Sequence, residues 1–154
     1  MLKRFAIAVT LLGTLPARAD ADDTRRQGQL LLEHWQCTFY AADFDDKERE
    51  RKHFDLGWKA GHIFYDTALS LNLPESQMKE AVSPVLRLFM NGPSVDFLLG
   101  QLHRSLRESV NEEFRRAYRD KIESGDARME DSIEYSRKLY RQKNCELLLG
   151  VSAE

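Results

Sequence analysis

Apolar positions recur every three or four residues along most of the chain, and this spacing predicts α-helices. The clearest segment runs from about Ser94 to Glu123, and Ser94 follows the turn signal Asn91-Gly92-Pro93 and can cap the helix. No segment shows the strict alternation that is typical of a β-strand. The apolar stripe of this segment consists of Val95, Leu98, Leu99, Leu102, Leu106, Val110, Phe114, Ala117, Tyr118 and Ile122.

Four other segments have helical character. They span about Thr24 to Ala41, Asp46 to Leu71, Glu75 to Met90 and Met129 to Leu148. The third is expected to be interrupted near Ser83-Pro84, because proline cannot donate a backbone hydrogen bond. The sequence therefore predicts an all-α fold, a single bundle of four to five helices.

The first nineteen residues have the pattern of a secretory signal peptide. Lys3 and Arg4 precede eleven largely apolar residues, Phe5 to Leu15, and Ala17-Arg18-Ala19 supplies the small residues of a cleavage site. A retained transmembrane helix would need about 20 apolar residues. We therefore predict cleavage after Ala19, a single helical domain at residues 20–154, a periplasmic or secreted location, and no membrane insertion after cleavage.

Charge excludes one class of partner. The 154 residues include 23 Lys and Arg against 25 Asp and Glu, a net charge of −2. The predicted signal peptide contains three of those cations and no acid, so the mature chain has a net charge of −5. A negative chain without a basic stripe is a poor candidate for binding nucleic acid or anionic lipid.

Cys37 and Cys145 lie near the two ends of the predicted mature domain. An exported protein with two cysteines favours one intramolecular disulfide, which would clasp the first helix to the last. Such a bridge closes a loop of roughly 100 residues and contributes about 4–5 kcal/mol in the chain-entropy treatment. The alternatives are two buried thiols or an intermolecular bridge. No Cys-x-x-Cys pair supports redox catalysis.

Gly57 and Gly61 stand one turn apart within a predicted helix. Each costs about 1 kcal/mol of helix stability relative to alanine, so a compensating contact is expected. Close packing of a neighbouring helix is the first interpretation, with Gly100 in the other long helix as the opposing surface. The alternative is a backbone groove that accepts a ligand or a partner's side chain.

Candidate catalytic chemistry is sparse. His62 and Asp66 have the i,i+4 spacing of two metal ligands, but no third or fourth ligand is evident, and we predict neither a metal nor a cofactor. The acids Asp55, Asp66 and Asp96 show no spacing that selects a catalytic pair. The alternating charges between Arg104 and Lys121 are typical of a solvated helix face.

These observations favour a non-enzymatic exported protein. Small exported helical proteins with one disulfide include immunity proteins that neutralise toxins and acid-stress chaperones of the periplasm. The leading hypothesis is a factor of inhibitor or immunity type that binds a protein partner in the periplasm. The second is a stress or chaperone-like protein that opens at low pH, since four histidines and many carboxylates can titrate. A small hydrolase or metal enzyme is a third class, with fewer features in its favour.

Overall fold

The computed structural model describes residues 15–71 and 75–151. Within these ranges the chain forms eight helices and no strand. They are α1 (Leu15–Asp43), α2 (Lys47–Ser70), α3 (Glu75–Ala81), α4 (Pro84–Arg87), α5 (Val95–Ala117), α6 (Arg119–Ser124), α7 (Met129–Gln142) and α8 (Cys145–Val151). The all-α prediction is confirmed. The prediction of four to five helices is not, because the third predicted segment is divided at its expected interruption and two further predicted helices are each divided in two.

The two divisions occur at residues with non-helical backbone. Tyr118 has φ −118° and ψ 24°, and its ring stacks on Phe114 with centroids 5.0 Å apart. Asn144 has φ 54°, a left-handed conformation that asparagine tolerates better than most residues. The predicted interruption at Ser83-Pro84 is present, and the Ser83 hydroxyl accepts a hydrogen bond from the Leu86 amide.

The first helix starts earlier than the sequence pattern indicated. It begins at Leu15, nine residues before the predicted start at Thr24, and it includes the predicted cleavage point after Ala19. Residues 1–14 lie outside the described residues, so the signal peptide stays a prediction. Among the described helices, none is both long enough and apolar enough to cross a bilayer.

An antiparallel hairpin of α1 and α2 organises the fold. The side chains of Leu31 and Trp35 approach Gly61 and Gly57 respectively, so residues pair at nearly equal distances from the turn between the helices. Asp45 in that turn has φ 59°. Asp46 caps α2 by accepting a hydrogen bond from the Arg49 amide at 3.0 Å.

Several of the other helices pack against this hairpin and cover the core. The α5 helix contacts both α1 and α2, whereas α3, α7 and α8 contact α1. The largest fully buried apolar side chains are Trp35, Tyr40, Tyr65, Phe64, Leu31, Leu86, Leu98, Leu99, Leu102 and Val82. Helix α1 therefore contacts α2, α3, α5, α7 and α8, and its side chains take part in each of these helix–helix contacts.

Candidate functional site

The predicted disulfide is present between Cys37 in α1 and Cys145 at the start of α8. It joins the first described helix to the last, as predicted, with 108 residues of sequence separation. Cys145 was expected late in one long terminal helix. It instead opens the short α8, because the left-handed Asn144 ends the preceding helical run.

One turn before Cys37, α1 contributes His34 to a buried pair of histidines. The Nδ1 atoms of His34 and His53 lie 2.9 Å apart, and the Nε2 atom of His53 lies 3.0 Å from the hydroxyl of Tyr140. His34 is 1% exposed, His53 is 0% exposed and Tyr140 is 7% exposed. These polar contacts connect α1, α2 and α7 inside the protein. We call His34 and His53 the histidine pair.

The geometry of the histidine pair requires at least one neutral ring. One Nδ1 must donate its proton and the other must accept it, so two fully protonated rings would direct two N–H groups at each other. Burial lowers the pKa of His34 to about 4. Burial, with smaller contributions from His34 and the positive charge of Arg49, lowers the pKa of His53 to about 4 as well. At neutral pH the pair therefore carries no charge.

Gly57 and Gly61 lie in helix contacts. A Cβ atom on Gly57 would come within 2.5 Å of Cδ1 of Trp35 and 2.7 Å of its Nε1. A Cβ atom on Gly61 would collide with the side chain of Leu99 from α5. These two glycines leave the space that Trp35 and Leu99 occupy, which favours the packing interpretation over a ligand groove.

Gly100 does not supply the opposing surface. It is exposed, and a Cβ atom placed there would meet no heavy atom within 4 Å. The prediction that Gly100 faces the two α2 glycines is therefore wrong. The reason is helical phase: the neighbouring Leu99 points towards the α1–α2 hairpin, which turns Gly100 outward.

An open groove lies where α1, α2 and α5 meet, with a cavity volume of about 650 Å³. Such a volume falls within the usual range of ligand pockets. We call it the basic groove, because its lining contains three cations and one acid. It is lined by Thr38, Phe39, Ala42, Lys47, Glu50, Arg51, Phe54, His103 and Arg107.

Aromatic rings form the floor of the basic groove. The His103 ring meets Phe39 edge to face with centroids 4.8 Å apart, and it meets Phe54 in the same way at 5.6 Å. Among the described residues His103 has no hydrogen-bond partner. Burial, and then the positive charge of Arg107, lower the pKa of His103. A neutral and mainly apolar surface results at neutral pH.

The side chain of Arg107 lines one end of the groove and is held in place by several contacts. Its Nη2 atom donates to Oδ1 of Asp43 at 2.7 Å, its Nη1 atom donates to the backbone carbonyl of Phe39, and its guanidinium lies over the Phe39 ring at 5.5 Å. Ser136 of α7 donates to the other oxygen of Asp43 at 2.7 Å. This network holds the guanidinium in one orientation.

The two α2 cations at the other side of the groove differ in their partners. Nζ of Lys47 lies 3.0 Å from Glu50 and 3.4 Å from Asp45. Arg51 is exposed and has no ion-pair partner within the ranges that the structure describes. Arg51 is therefore the groove cation that is most available to an incoming anion.

His62 pairs with a carboxylate other than that of Asp66. His62 Nε2 lies 3.0 Å from the carboxylate of Asp96, in the first turn of α5, rather than forming a site with Asp66. In the parts of the chain that the structure describes, no group of three or more His, Cys, Asp and Glu side chains is arranged to hold a metal ion.

Neither the histidine pair nor the basic groove was recognised from sequence. His34 and His53 stand at nearly equal distances from the α1–α2 turn, a signal that becomes useful only once the hairpin is assumed. Lys47 and Arg51 belong to a run of charged residues, 47–52, and such a run is typical of a solvated opening turn of a helix. No protein-family model, no curated protein and no solved structure matches this chain.

Proposed function

We propose that this protein is an exported, non-enzymatic factor of inhibitor or immunity type, which acts by binding a protein partner in the periplasm. The observation that carries the proposal is the basic groove. It is open, it combines an aromatic floor with cations at its edge, and it belongs to a chain whose net charge is negative. Interfaces favour such combinations, since aromatic anchors supply affinity and complementary charges guide association.

The chemistry of the groove lining fits binding better than catalysis. The only hydroxyl in the lining belongs to Thr38, which donates to the backbone carbonyl of His34 at 3.0 Å. His103 lies against aromatic rings and has no carboxylate to orient it within the described residues. A nucleophile activated by a positioned base requires hydrogen bonds that these residues do not make.

The test is capture of a stoichiometric partner. The purified, disulfide-intact protein is immobilised and exposed to periplasmic extract, and complexes are measured by size exclusion with light scattering. We expect a defined complex that Arg51→Glu weakens by about tenfold or more, because reversal of one contact charge costs affinity. Lys59→Glu, the same charge change elsewhere on α2, should have little effect. Failure to recover a partner at several salt concentrations would contradict the proposal.

A second function, an acid-responsive stress or chaperone-like protein, is favoured by the histidine pair. Protonation of both rings would place two positive charges and two opposed N–H groups in a buried site. Acid would then push α1 and α2 apart at this site, and apolar surface would be exposed. An unchanged helical circular-dichroism spectrum between pH 7 and pH 3, without new dye binding, would rule this function out.

A further inference from the structure

The arrangement of the basic groove limits the chemistry of its occupant. Lys47 and Arg51 are spaced i,i+4 on α2, and Phe54 follows Arg51 by three residues, so all three lie along one face of the helix. His103 and Arg107 repeat the i,i+4 spacing on α5. The α2 row therefore has two cations and a ring, the α5 row has one cation and a ring, and both rows line the groove beside α1.

We propose that the basic groove binds an acidic segment of the partner protein in which an aromatic side chain is flanked by carboxylates. The aromatic side chain would lie on the floor formed by Phe39, Phe54 and His103. The flanking carboxylates would pair with Arg51 and with Lys47. This inference rests on the proposed function, and it specifies the partner's contact chemistry.

The charges in the groove support an anionic occupant. Its lining has three cations against the single carboxylate of Glu50, whereas the whole chain has more acids than bases. The excess of cations in the lining favours an acidic segment over a basic one. Glu50 already pairs with Lys47, and Asp43 with Arg107, so Arg51 is the main unsatisfied cation.

In the neighbouring cleft, three of the four lining arginines lie within 4 Å of a carboxylate. The cleft has a volume of about 480 Å³ and lies between α5, α6 and α7, and Arg107 lines it as well as the groove. Its arginines Arg115 and Arg116 both lie within 4 Å of the carboxylate of Glu112. Cations that are paired within one helix offer less to an incoming anion than Arg51 does.

The floor favours a side chain over a nucleic acid base. Phe39 is 3% exposed and the rings meet edge to face, so they do not form a broad stacking platform. A nucleic acid would also bring many phosphates to a chain with net negative charge, and only three cations line the groove. A short acidic peptide brings few charges, and one aromatic ring fits within the groove's volume of about 650 Å³.

The experiment uses fluorescein-labelled peptides of defined sequence and fluorescence polarisation. The probe is Glu-Glu-Phe-Glu-Glu, and the comparison peptides are Glu-Glu-Ser-Glu-Glu and Lys-Lys-Phe-Lys-Lys. We expect the probe to bind the full, disulfide-intact protein at least about tenfold more tightly than either comparison peptide, because only it supplies both contacts. Added salt should weaken binding of the probe, since its carboxylates are screened.

Variants locate the binding and separate this inference from the proposed function. Arg51→Glu should weaken probe binding by about tenfold or more, and Lys59→Glu should change it by less than about twofold. Equal binding by wild type and Arg51→Glu, or equal binding of the serine peptide, the lysine peptide or a single-stranded oligonucleotide, would overturn the inference. If a 1:1 partner were captured while the probe failed to bind, the proposed function would stand and this inference would fall.

Discussion

The α1–α2 hairpin has two histidine-containing regions with opposite properties. His53 and Phe54 are neighbours in α2, yet His53 joins the buried histidine pair and Phe54 lines the basic groove. On the first side, Tyr140 of α7 and the disulfide to α8 close the structure. On the second, α5 presents His103 and Arg107, and a cavity of about 650 Å³ stays open. The hairpin is therefore covered on the side where a buried hydrogen bond and a disulfide join it to α7 and α8. It is open to solvent on the side where charged side chains line the groove.

The largest effect should come from opening the closed side at its disulfide. Replacement of both cysteines, Cys37→Ser with Cys145→Ser, removes the constraint on a loop of 108 residues. We expect the free energy of unfolding to fall by about 4–5 kcal/mol, because the unfolded chain gains conformational entropy. Urea denaturation of the double variant and of the chemically reduced wild type measures the loss. A loss below about 1 kcal/mol in both would contradict the assigned role of the clasp.

The next effect is acid destabilisation of the histidine pair. Both folded pKa values are about 4, whereas an unfolded histidine has a pKa near 6.5. Between these values the unfolded chain binds more protons, so the free energy of unfolding falls as pH falls from about 6.5 to 4. A shift of this size corresponds to about 3 kcal/mol for a single histidine.

The surroundings of the pair do not offset this acid effect. Arg49 of α2 adds a positive charge that opposes protonation of His53. Tyr140 of α7 has its pKa raised to about 12, chiefly by burial and then by the carboxylate of Glu146 from α8, so it stays neutral. Denaturation of wild type and of the variant His34→Leu with His53→Leu should be compared from pH 7.5 to pH 4. Equal pH dependence in the two proteins would show that carboxylates alone cause the acid effect.

Gly57 and Gly100 provide a matched pair of smaller effects. Gly57→Ala places a methyl group against the fully buried Trp35 and should destabilise the protein by about 1–3 kcal/mol, despite alanine's better helix propensity. Gly100→Ala enters open space on α5 and should stabilise by up to about 1 kcal/mol. Thermal denaturation measures both. If the two substitutions changed stability equally, the close packing of α2 against α1 would be disproved.

The smallest effect on stability is expected on the open side. Arg51 has no ion-pair partner among the described residues, so Arg51→Glu should change the free energy of unfolding by less than about 0.5 kcal/mol. Its effect on binding should be large, as argued above. A variant that lost binding together with several kcal/mol of stability would remove the distinction between the closed side and the open side.

Helical periodicity and cysteine count predicted the fold class and the disulfide. Periodicity did not reveal the breaks at Tyr118 and Asn144, since a single non-helical residue leaves the spacing of apolar positions almost intact. The packing role of Gly57 and Gly61 could be anticipated because mid-helix glycine is costly. Gly100 was misassigned because the rotation of α5 about its axis depends on tertiary packing.

The histidine pair and the basic groove could not be predicted without the tertiary structure. His34 and His53 belong to different helices, and only the antiparallel pairing brings their Nδ1 atoms to 2.9 Å. The charges of the groove were visible as separate positions, Lys47 and Arg51 on one segment and Arg107 on another. A charged helix face and a binding groove have the same local sequence pattern, and they differ only in what packs beside them.

One measurement tests both sides at once: NMR observation of the ring signals of the four histidines, during titration with acid and then with the acidic phenylalanine peptide. We predict that the His34 and His53 signals stay those of neutral rings well below pH 6.5, with a slowly exchanging Nδ1 proton between them. We predict that the peptide shifts the His103 signals and leaves those of the buried pair unchanged. Titration of His34 or His53 near pH 6.5, or a peptide that fails to move the His103 signals, would contradict the account.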